Sequence, residues 1–259
     1  MSKVERRALL NVTKLTKNFG GIRALHEVTF CLEERGIVSM IGPNGAGKTT
    51  LINVVTGIYL PDSGEIHLRG ENITGICAHS IAFKGMSRTF QLEELFGGMT
   101  VLENAMVGCH TRSRFGMFAC GLKTFSSRTE EKWIRDEARE TLALVGLADK
   151  RSHSISSLPL GERKLAGMAR ALCMKPKLLL LDEPVGGLAA HEIEKFVKLI
   201  ERLVKEGLSI FIIEHNMPFV MSISEKVIVL DQGTKIAEGP PGEVRTNERV
   251  IKAYLGEVC

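Results

Sequence analysis

Residues 42–49 read Gly-Pro-Asn-Gly-Ala-Gly-Lys-Thr, which fits the pattern G-x-x-x-x-G-K-[ST]. Its glycines let consecutive backbone N–H groups curl around an anion and approach it closely. A helix that begins here would direct its positive N-terminal end at the same anion. Lys48 would then supply a positive charge to the β- and γ-phosphates of a nucleotide, and the hydroxyl of Thr49 could bind Mg²⁺. The spacing therefore predicts a phosphate-binding loop rather than an ordinary glycine-rich turn.

A second candidate site follows the apolar run at residues 178–181, where Asp182 and Glu183 stand side by side. At the C-terminal end of a parallel strand, Asp182 would face the crevice in which ligands bind. It could hold Mg²⁺ there, and Glu183 could polarise an attacking water. Alone, two acidic residues after a strand more often mark the point where the chain leaves the core. Beside a phosphate loop they are its expected partner.

The elements that position these residues can be predicted from hydrophobic periodicity. The run Ile37–Ile41 is a buried strand that leads into the loop, and a helix is predicted over residues 48–58. The other predicted strands are residues 9–15, 28–32, 65–68, 86–90, 178–181, 210–213 and 227–230. Strands that alternate with helices predict an α/β fold with a parallel sheet.

The middle of the chain has a helical pattern. Thr100 with Glu103 and Ser127 with Glu130 both have the capping-box spacing, and each predicts the start of a helix. We predict one domain over residues 1–259. Its core is formed by residues 1–91 and 166–259, and residues 92–165 form an inserted helical subdomain.

Composition excludes several classes of protein. The chain has 259 residues, 44% of them hydrophobic and 25% charged, which is typical of a globular domain and not of a disordered or fibrous chain. The net charge of +4 is too weak to argue for a nucleic-acid partner. The six cysteines lack zinc-site spacing. Because a chain of this length needs no disulfide framework, we expect reduced thiols in the cytosol. Neither a signal peptide nor an apolar run near the ~20 residues of a membrane helix is predicted.

Over nearly its whole length the chain resembles the ATP-binding cassette (ABC) ATPases. The resemblance implies a P-loop NTPase core of RecA-like type with a mainly parallel sheet, an N-terminal antiparallel β-subdomain and an inserted α-helical subdomain. Gln91 is similar to the glutamine of the family's Q-loop, which touches Mg²⁺ and water. His215 is similar to the switch histidine, which contacts the γ-phosphate. Phe19 looks like the aromatic residue that stacks on adenine.

The run Leu-Pro-Leu-Gly-Glu at residues 158–162 looks like the family's signature motif, which caps the γ-phosphate of ATP bound to the opposite subunit. The resemblance thus implies ATP and Mg²⁺ as ligands. The implied nucleotide-binding residues are Phe19, Gly42, Pro43, Asn44, Gly45, Ala46, Gly47, Lys48, Thr49, Thr50, Pro159 and Gly161. The implied metal ligands are Thr49, Gln91 and Asp182. The implied catalytic residues are Glu183, His215 and Gln91.

Finer features are similar to the LivG type, the ATPases of branched-chain amino-acid importers. They are the runs at residues 88–91, 214–217 and 250–256 and the long segment after Gln91. This type implies membrane-spanning permease subunits, an extracytoplasmic binding protein that acts indirectly, and a peripheral place on the cytoplasmic face of the inner membrane. It also implies a nucleotide-dependent homodimer, or a heterodimer with a paralogous ATPase. The ATPases of urea importers and lipopolysaccharide exporters share much of the pattern.

The segment after Gln91 is also expected to meet the membrane subunits. Leu92, Leu95, Phe96 and Met99 cluster there, and they form a docking patch if they are exposed or part of the core if they are not.

Three residues depart from the family's pattern. Pro159 stands where the broad family has a serine that reaches the γ-phosphate, and Glu162 replaces the usual glutamine. Ala189 stands where the D-loop has Asp or Asn, which puts the coupling between two subunits in doubt.

Other functions are less well supported by the residues. A soluble ABC ATPase of DNA repair or translation typically carries a long coiled coil or two cassettes, and neither pattern occurs. A GTPase would need an N-K-x-D motif, which is absent. A nucleotide kinase would not need the Gly161 and His215 elements. A non-catalytic ATP-binding scaffold would not need Glu183 or His215.

Overall fold

The computed structural model describes residues 7–89, 95–112 and 125–255. Near the N-terminus an antiparallel sheet has the strand order β2-β1-β4-β5. Its strands are β1 (Ala8–Phe19), β2 (Ile22–Glu33), β4 (Ser63–Leu68) and β5 (Glu71–Asn72). β1 and β2 form a hairpin around Gly20 and Gly21.

The second sheet is mainly parallel and has the order β10-β9-β3-β8-β7-β6. Its strands are β3 (Ile37–Ile41), β6 (Met86–Thr89), β7 (Leu178–Asp182), β8 (Ser209–Ile213), β9 (Lys226–Asp231) and β10 (Thr234–Gly239). β10 runs antiparallel to β9, whereas the other neighbouring strands pair in parallel. Every residue of β3 and β8 is buried, as the apolar runs predict for strands covered on both faces.

Helices cover the sheets and connect their strands. They are α1 (Lys48–Val55), α2 (Ala78–Phe83), α3 (Val101–Cys109), α4 (Phe125–Leu144), α5 (Leu160–Leu172), α6 (Ala190–Lys205), α7 (Met217–Ile223), α8 (Pro241–Arg245) and α9 (Glu248–Leu255). The chain is therefore α/β, with one mainly parallel and one antiparallel sheet, as predicted.

The two faces of the parallel sheet belong to two separate apolar cores. Val38, Met40 and Phe211 pack on one face with α1 and the antiparallel sheet. Ile41 and Ile212 point to the other face, where α3, α4, α5 and α6 pack. This alternation follows from the period of two residues along a strand. Because β3, β7 and β8 run parallel, their C-terminal ends lie at the same edge of the sheet, and the candidate site residues follow there.

The local predictions had mixed outcomes. The capping box at Thr100 and Glu103 is confirmed, since each side chain bonds the backbone N–H of the other residue. The box predicted at Ser127 is wrong, because α4 already begins at Phe125 and Ser127 lies inside it. α1 ends at Val55, before the predicted residue 58, because Gly57 adopts a φ of +74° that stops the helix.

Several elements were not predicted, namely β5, β10, α2, α7 and α8. The division into a core and a helical subdomain stays a prediction. The boundary predicted for the helical subdomain, residue 165, lies inside α5, which is continuous there.

Candidate nucleotide-binding site

The loop between β3 and α1 is pressed against neighbouring backbone, and this explains its glycines. A Cβ atom on Gly42 would lie 2.0 Å from the carbonyl oxygen of Leu230. Gly47 has a φ of +97°, and a Cβ atom there would lie 2.5 Å from the carbonyl oxygen of Ala24. The N–H of Gly233 donates to the carbonyl of Ala46 over 3.0 Å. The turn between β9 and β10 and the strand β2 therefore support the loop from below.

Lys48 lies against this loop. Its Nζ donates to the carbonyl oxygens of Gly42 and Pro43 over 2.7 and 2.8 Å. Burial lowers the pKa of Lys48, and the nearby carboxylates of Glu183 and Asp182 oppose that shift. The N-cap residue of α1, Gly47, makes no side-chain hydrogen bond to the helix. The free N–H groups of the first turn of α1 and the ammonium of Lys48 thus lie at the same end of the helix, where an anion would be stabilised.

Asp182 ends β7 and forms a nearly dry ion pair that the sequence did not predict. Its Oδ2 lies 2.7 Å from the guanidinium of Arg88, and the two side chains are 5% and 8% exposed. Arg88 also donates to the Oδ1 of Asn53 on α1 over 2.6 Å. The pair therefore joins β6, β7 and the helix after the phosphate loop. The signal was an arginine within a predicted buried strand, because a buried cation needs an anion.

Gln91 lies outside the described residues. The strand that precedes it, β6, ends at Thr89 and pairs with β7 in register, with Thr89 opposite Leu181. β6 therefore ends beside the C-terminal end of β7, where Asp182 lies.

Glu183 has an unusual backbone. Its φ is +47°, which is sparsely populated by residues with a side chain and costs about 1–3 kcal/mol. The N–H of Glu183 donates to the carbonyl of Ile213 over 2.9 Å, and its own carbonyl accepts from Lys164 over 2.6 Å. The carboxylate then reaches towards His215, with Oε1 3.6 Å from Nδ1. The structure thus brings together two of the predicted catalytic residues.

Glu214 has a positioning role that sequence reasoning missed. Its side chain is fully buried and accepts the backbone N–H groups of Val185, His215 and Asn216 over 3.0, 2.8 and 3.0 Å. Such charge-assisted bonds are stronger than neutral ones. They fix the loop that carries His215 to the turn after Glu183.

Phe19 stands at the end of β1 with its ring 42% exposed. The ring of Tyr59 meets it edge-on at 5.3 Å, and the ammonium of Lys17 lies 5.3 Å from the ring centre. Tyr59 was not predicted to take part. The contact fixes one side of Phe19, while its exposed surface suits stacking of a base.

Tyr254 on α9 is a further residue that the prediction missed. Burial raises the pKa of its hydroxyl, and the backbone of Gly42 acts in the opposite direction. The side chain of Tyr254 therefore lies near the first residue of the phosphate loop.

The predicted signature residues lie at the start of α5. Pro159 is the exposed N-cap residue, and no side chain caps the helix there. Gly161 is buried in its own chain, where an added Cβ atom would lie 2.3 Å from Oε1 of Glu192. Glu162 pairs with Lys150. α5 also contacts the turn after β7, because Lys164 donates to the carbonyl of Glu183.

The turn after Glu183 continues to Ala189, the N-cap residue of α6. The N–H of Ala189 donates to Oε2 of Glu192 over 2.9 Å. Alanine has no side-chain oxygen to return the bond, so only half of a capping box is formed.

Comparison with known proteins decides the family. Residues 25–186, the stretch from β2 through the phosphate loop to the turn after Glu183, match the family model described as ABC transporter. The chain belongs to the ABC transporter family. A second model, described as branched-chain amino acid ATP-binding cassette transporter, matches residues 234–258 of this ABC ATPase.

Curated relatives resemble the ABC ATPase over its whole length. It is 42% identical over 252 residues to the high-affinity branched-chain amino acid transport ATP-binding protein BraF of Pseudomonas aeruginosa, covering 97% of this chain and 99% of the relative. It is 41% identical over 250 residues to the corresponding protein LivG of Escherichia coli, covering 96% and 98%.

Solved structures show the same fold. A nucleotide-free ATP-binding cassette from an ABC transporter matches with a TM-score of 0.86 and 29% identity, covering 97% of this chain and all of the other (100%). An ABC transporter cassette in its ADP conformation matches with a TM-score of 0.83 and 30% identity, covering 97% and 100%. The ABC ATPase has the P-loop NTPase fold, and it binds and hydrolyses ATP in support of transport. None of its described helices has the length and apolar character needed to cross a membrane.

Proposed function

We propose that the chain is the ATP-hydrolysing subunit of an importer of branched-chain amino acids, bound to separate permease subunits at the cytoplasmic face of the membrane. The match of the branched-chain model to residues 234–258 carries this proposal. That segment includes α9 with Tyr254, whose side chain lies near Gly42 of the phosphate loop. The full-length similarity to BraF and LivG supports it. ATPases of urea import or lipopolysaccharide export remain the alternatives from the sequence.

Nucleotide binding follows from charge at the phosphate loop. The backbone N–H groups of residues 42–49 and the ammonium of Lys48 receive the phosphates, and Thr50 follows on α1. Adenine stacks on the exposed surface of Phe19.

Mg²⁺ fits the oxygen donors at this edge of the sheet. Mg²⁺ is commonly held by one or two side chains together with substrate phosphates. The hydroxyl of Thr49 and the carboxylate of Asp182 are suited to that role, and Gln91 is proposed as a further ligand. Among the residues that the structure describes, no group of three or more His, Cys, Asp or Glu side chains forms a metal site of its own. When bound, the ion would offset charge on the β- and γ-phosphates.

Hydrolysis needs a water in line with the γ-phosphate, and Glu183 is placed to orient it or accept its proton. His215, 3.6 Å from Glu183, contacts the γ-phosphate. The bonds to Glu214 hold the backbone of His215 and of the turn after Glu183 before a substrate arrives. Such pre-organisation is a main source of rate enhancement in phosphoryl transfer.

The active unit is proposed to be a dimer, of two copies or of this chain and a paralogue. The start of α5, with Pro159 and Gly161, would face the γ-phosphate of ATP bound by the partner. Because residue 159 has no hydroxyl, the uncapped N–H groups and the positive end of α5 supply the interaction.

The permease is proposed to dock on the segment after Gln91. Phe96 and Met99 are 47% and 37% exposed, whereas Leu95 is partly buried against the core and Leu92 lies outside the described residues. The backbone of Phe96 is fixed by Asn104, whose Oδ1 accepts its N–H over 2.9 Å. An exposed aromatic side chain on a fixed backbone suits the apolar face of a short helix.

Transport by the purified complex tests the assignment. The chain would be co-purified with its membrane subunits, identified by mass spectrometry, and reconstituted in vesicles with the binding protein. ATP should drive uptake of labelled leucine, isoleucine and valine, and the Glu183→Gln variant should abolish it. Uptake of urea in place of these amino acids would contradict the assigned solute while leaving the ATPase role intact.

A further inference from the structure

Lys164 links the start of α5 with Glu183, the residue proposed to activate water. Lys164 and Gly161 lie on one face of α5, about one turn apart. The Nζ of Lys164 donates a 2.6 Å hydrogen bond to the backbone carbonyl of Glu183. The bond therefore joins α5 to the turn after β7 through two residues that lie 19 positions apart in the chain.

The surroundings of Lys164 are not those of a solvated surface lysine. Burial lowers its pKa, while the carboxylates of Glu214, Glu183 and Asp182 act in the opposite direction. Lys48 is a second cation that faces Glu183 and Asp182. Lys164 therefore keeps its ammonium in a partly desolvated place where three carboxylates favour it.

The bond also falls on backbone that needs support. Glu183 has a φ of +47°, and its N–H is fixed by the carbonyl of Ile213 at the end of β8. Lys164 fixes the other side of the same residue, at its carbonyl. With both peptide groups held, β8 and α5 together set the backbone of Glu183 and thus the direction of its Cα–Cβ bond.

We propose that Lys164 is a positioning residue that transmits the placement of α5 to the catalytic glutamate of its own chain. This rests on the proposed function, in which the start of α5 meets ATP bound by the partner. When the partner's nucleotide draws that helix end into place, Lys164 sets the backbone of Glu183. Each glutamate thus becomes competent only after the neighbouring chain has bound ATP.

Three substitutions test the role. Lys164→Met keeps an apolar stem of similar length but removes the donor, Lys164→Arg keeps a charged donor, and Lys198→Met removes an exposed ammonium from α6 as the control. With the purified full-length chain, Lys164→Met should lower the kcat for ATP about ten- to a hundredfold, the loss expected when a reacting group is misplaced. The KM and the melting temperature should stay at wild-type values. Lys164→Arg should recover most of the turnover, and Lys198→Met should match the wild type.

Dimerisation provides a second measurement, which separates loss of positioning from general damage to the structure. Combined with Glu183→Gln, Lys164→Met should still dimerise with ATP in light scattering. An unchanged kcat in Lys164→Met would overturn the proposal, as would a loss that Arg does not restore or that comes with equal losses of stability and ATP affinity. Failure of the proposed function would appear differently, as absent amino-acid uptake by the wild-type complex, since the Lys164 comparison measures only ATP turnover.

Discussion

At the scale of single residues, the ion pair of Arg88 and Asp182 both stabilises the interior and holds a proposed metal ligand. It is buried, and it holds the carboxylate proposed to meet Mg²⁺ while bonding Asn53 on α1. Removing one partner of such a pair leaves the other charge uncompensated in the interior, whereas exposed pairs contribute little.

Arg88→Ala should therefore lower the free energy of unfolding by about 3–5 kcal/mol, measured by urea denaturation. The matched control is Arg135→Ala, which removes an exposed pair with Glu131 and should cost about 1 kcal/mol or less. Equal losses in the two variants would mean that the buried pair has no special weight.

The lowered pKa of Lys48 predicts a pH dependence of nucleotide binding. In the folded protein this lysine has a pKa below its ordinary value of 10.5, because burial disfavours the charged form. Phosphates attract only the protonated form, so the affinity for ATP should fall as the pH rises into the alkaline range below that value. Calorimetric titration at several pH values checks this. Lys48→Ala should bind ATP weakly at every pH, and a wild-type-like slope in that variant would point to another group.

The same shift affects stability with the opposite sign. A lysine whose pKa is lower in the folded state binds fewer protons there than in the unfolded chain. Its contribution to the free energy of unfolding therefore rises with pH between the lowered pKa and the unfolded value. Deprotonation of Lys48 therefore does not destabilise the fold in this pH range, so a loss of ATP affinity there cannot be attributed to unfolding caused by Lys48.

At the scale of elements, local signals could be read from the sequence and contacts between elements could not. Thr100 and Glu103 meet within one turn, so their box was predictable. The same spacing at Ser127 failed, because it cannot show that α4 begins earlier. The partners of Arg88 and Glu214 depend on β6, β7 and β8 being neighbours, which the pattern of apolar residues leaves open. The loop at residues 42–49 was recognisable because its chemistry is contained in one short segment.

The helix α6 begins with an incomplete cap at Ala189, and restoring the oxygen tests its value. Ala189→Ser should add a hydroxyl that accepts the N–H of Glu192, raising the free energy of unfolding by about 1 kcal/mol in chemical denaturation. Ala190→Ser places the same hydroxyl one residue further on, where it cannot act as the N-cap, and should give no gain. A gain of equal size at both positions would exclude capping as the cause.

At the scale of the whole molecule, the site is proposed to be complete only in a dimer. The Glu183→Gln variant should be monomeric without nucleotide and double its mass with ATP in light scattering, because the γ-phosphate favours the closed state. Adding Lys48→Ala should keep the protein monomeric under the same conditions. A constant mass across a wide range of protein concentration would contradict a site divided between two chains.

Assembly with the permease is proposed to depend on the exposed aromatic ring at Phe96. Phe96→Asp should abolish co-purification with the membrane subunits and leave ATP affinity unchanged, since the ring lies outside the phosphate loop. Phe83→Asp is the control, because Phe83 on α2 is also exposed. Loss of ATP binding together with assembly would assign Phe96 to the core instead.

The support beneath the phosphate loop also constrains how the protein is made. β3 has β8 and β9 as its neighbours, and the loop rests on Leu230 and Gly233, all of which leave the ribosome long after residue 47. At rates of about 5–20 residues per second, roughly 10 to 40 s pass between the synthesis of the loop and that of Leu230 and Gly233, on which it rests. During that time its glycines have no fixed shape to offer a nucleotide. A nascent chain thus acquires the ability to bind ATP only when synthesis is nearly finished.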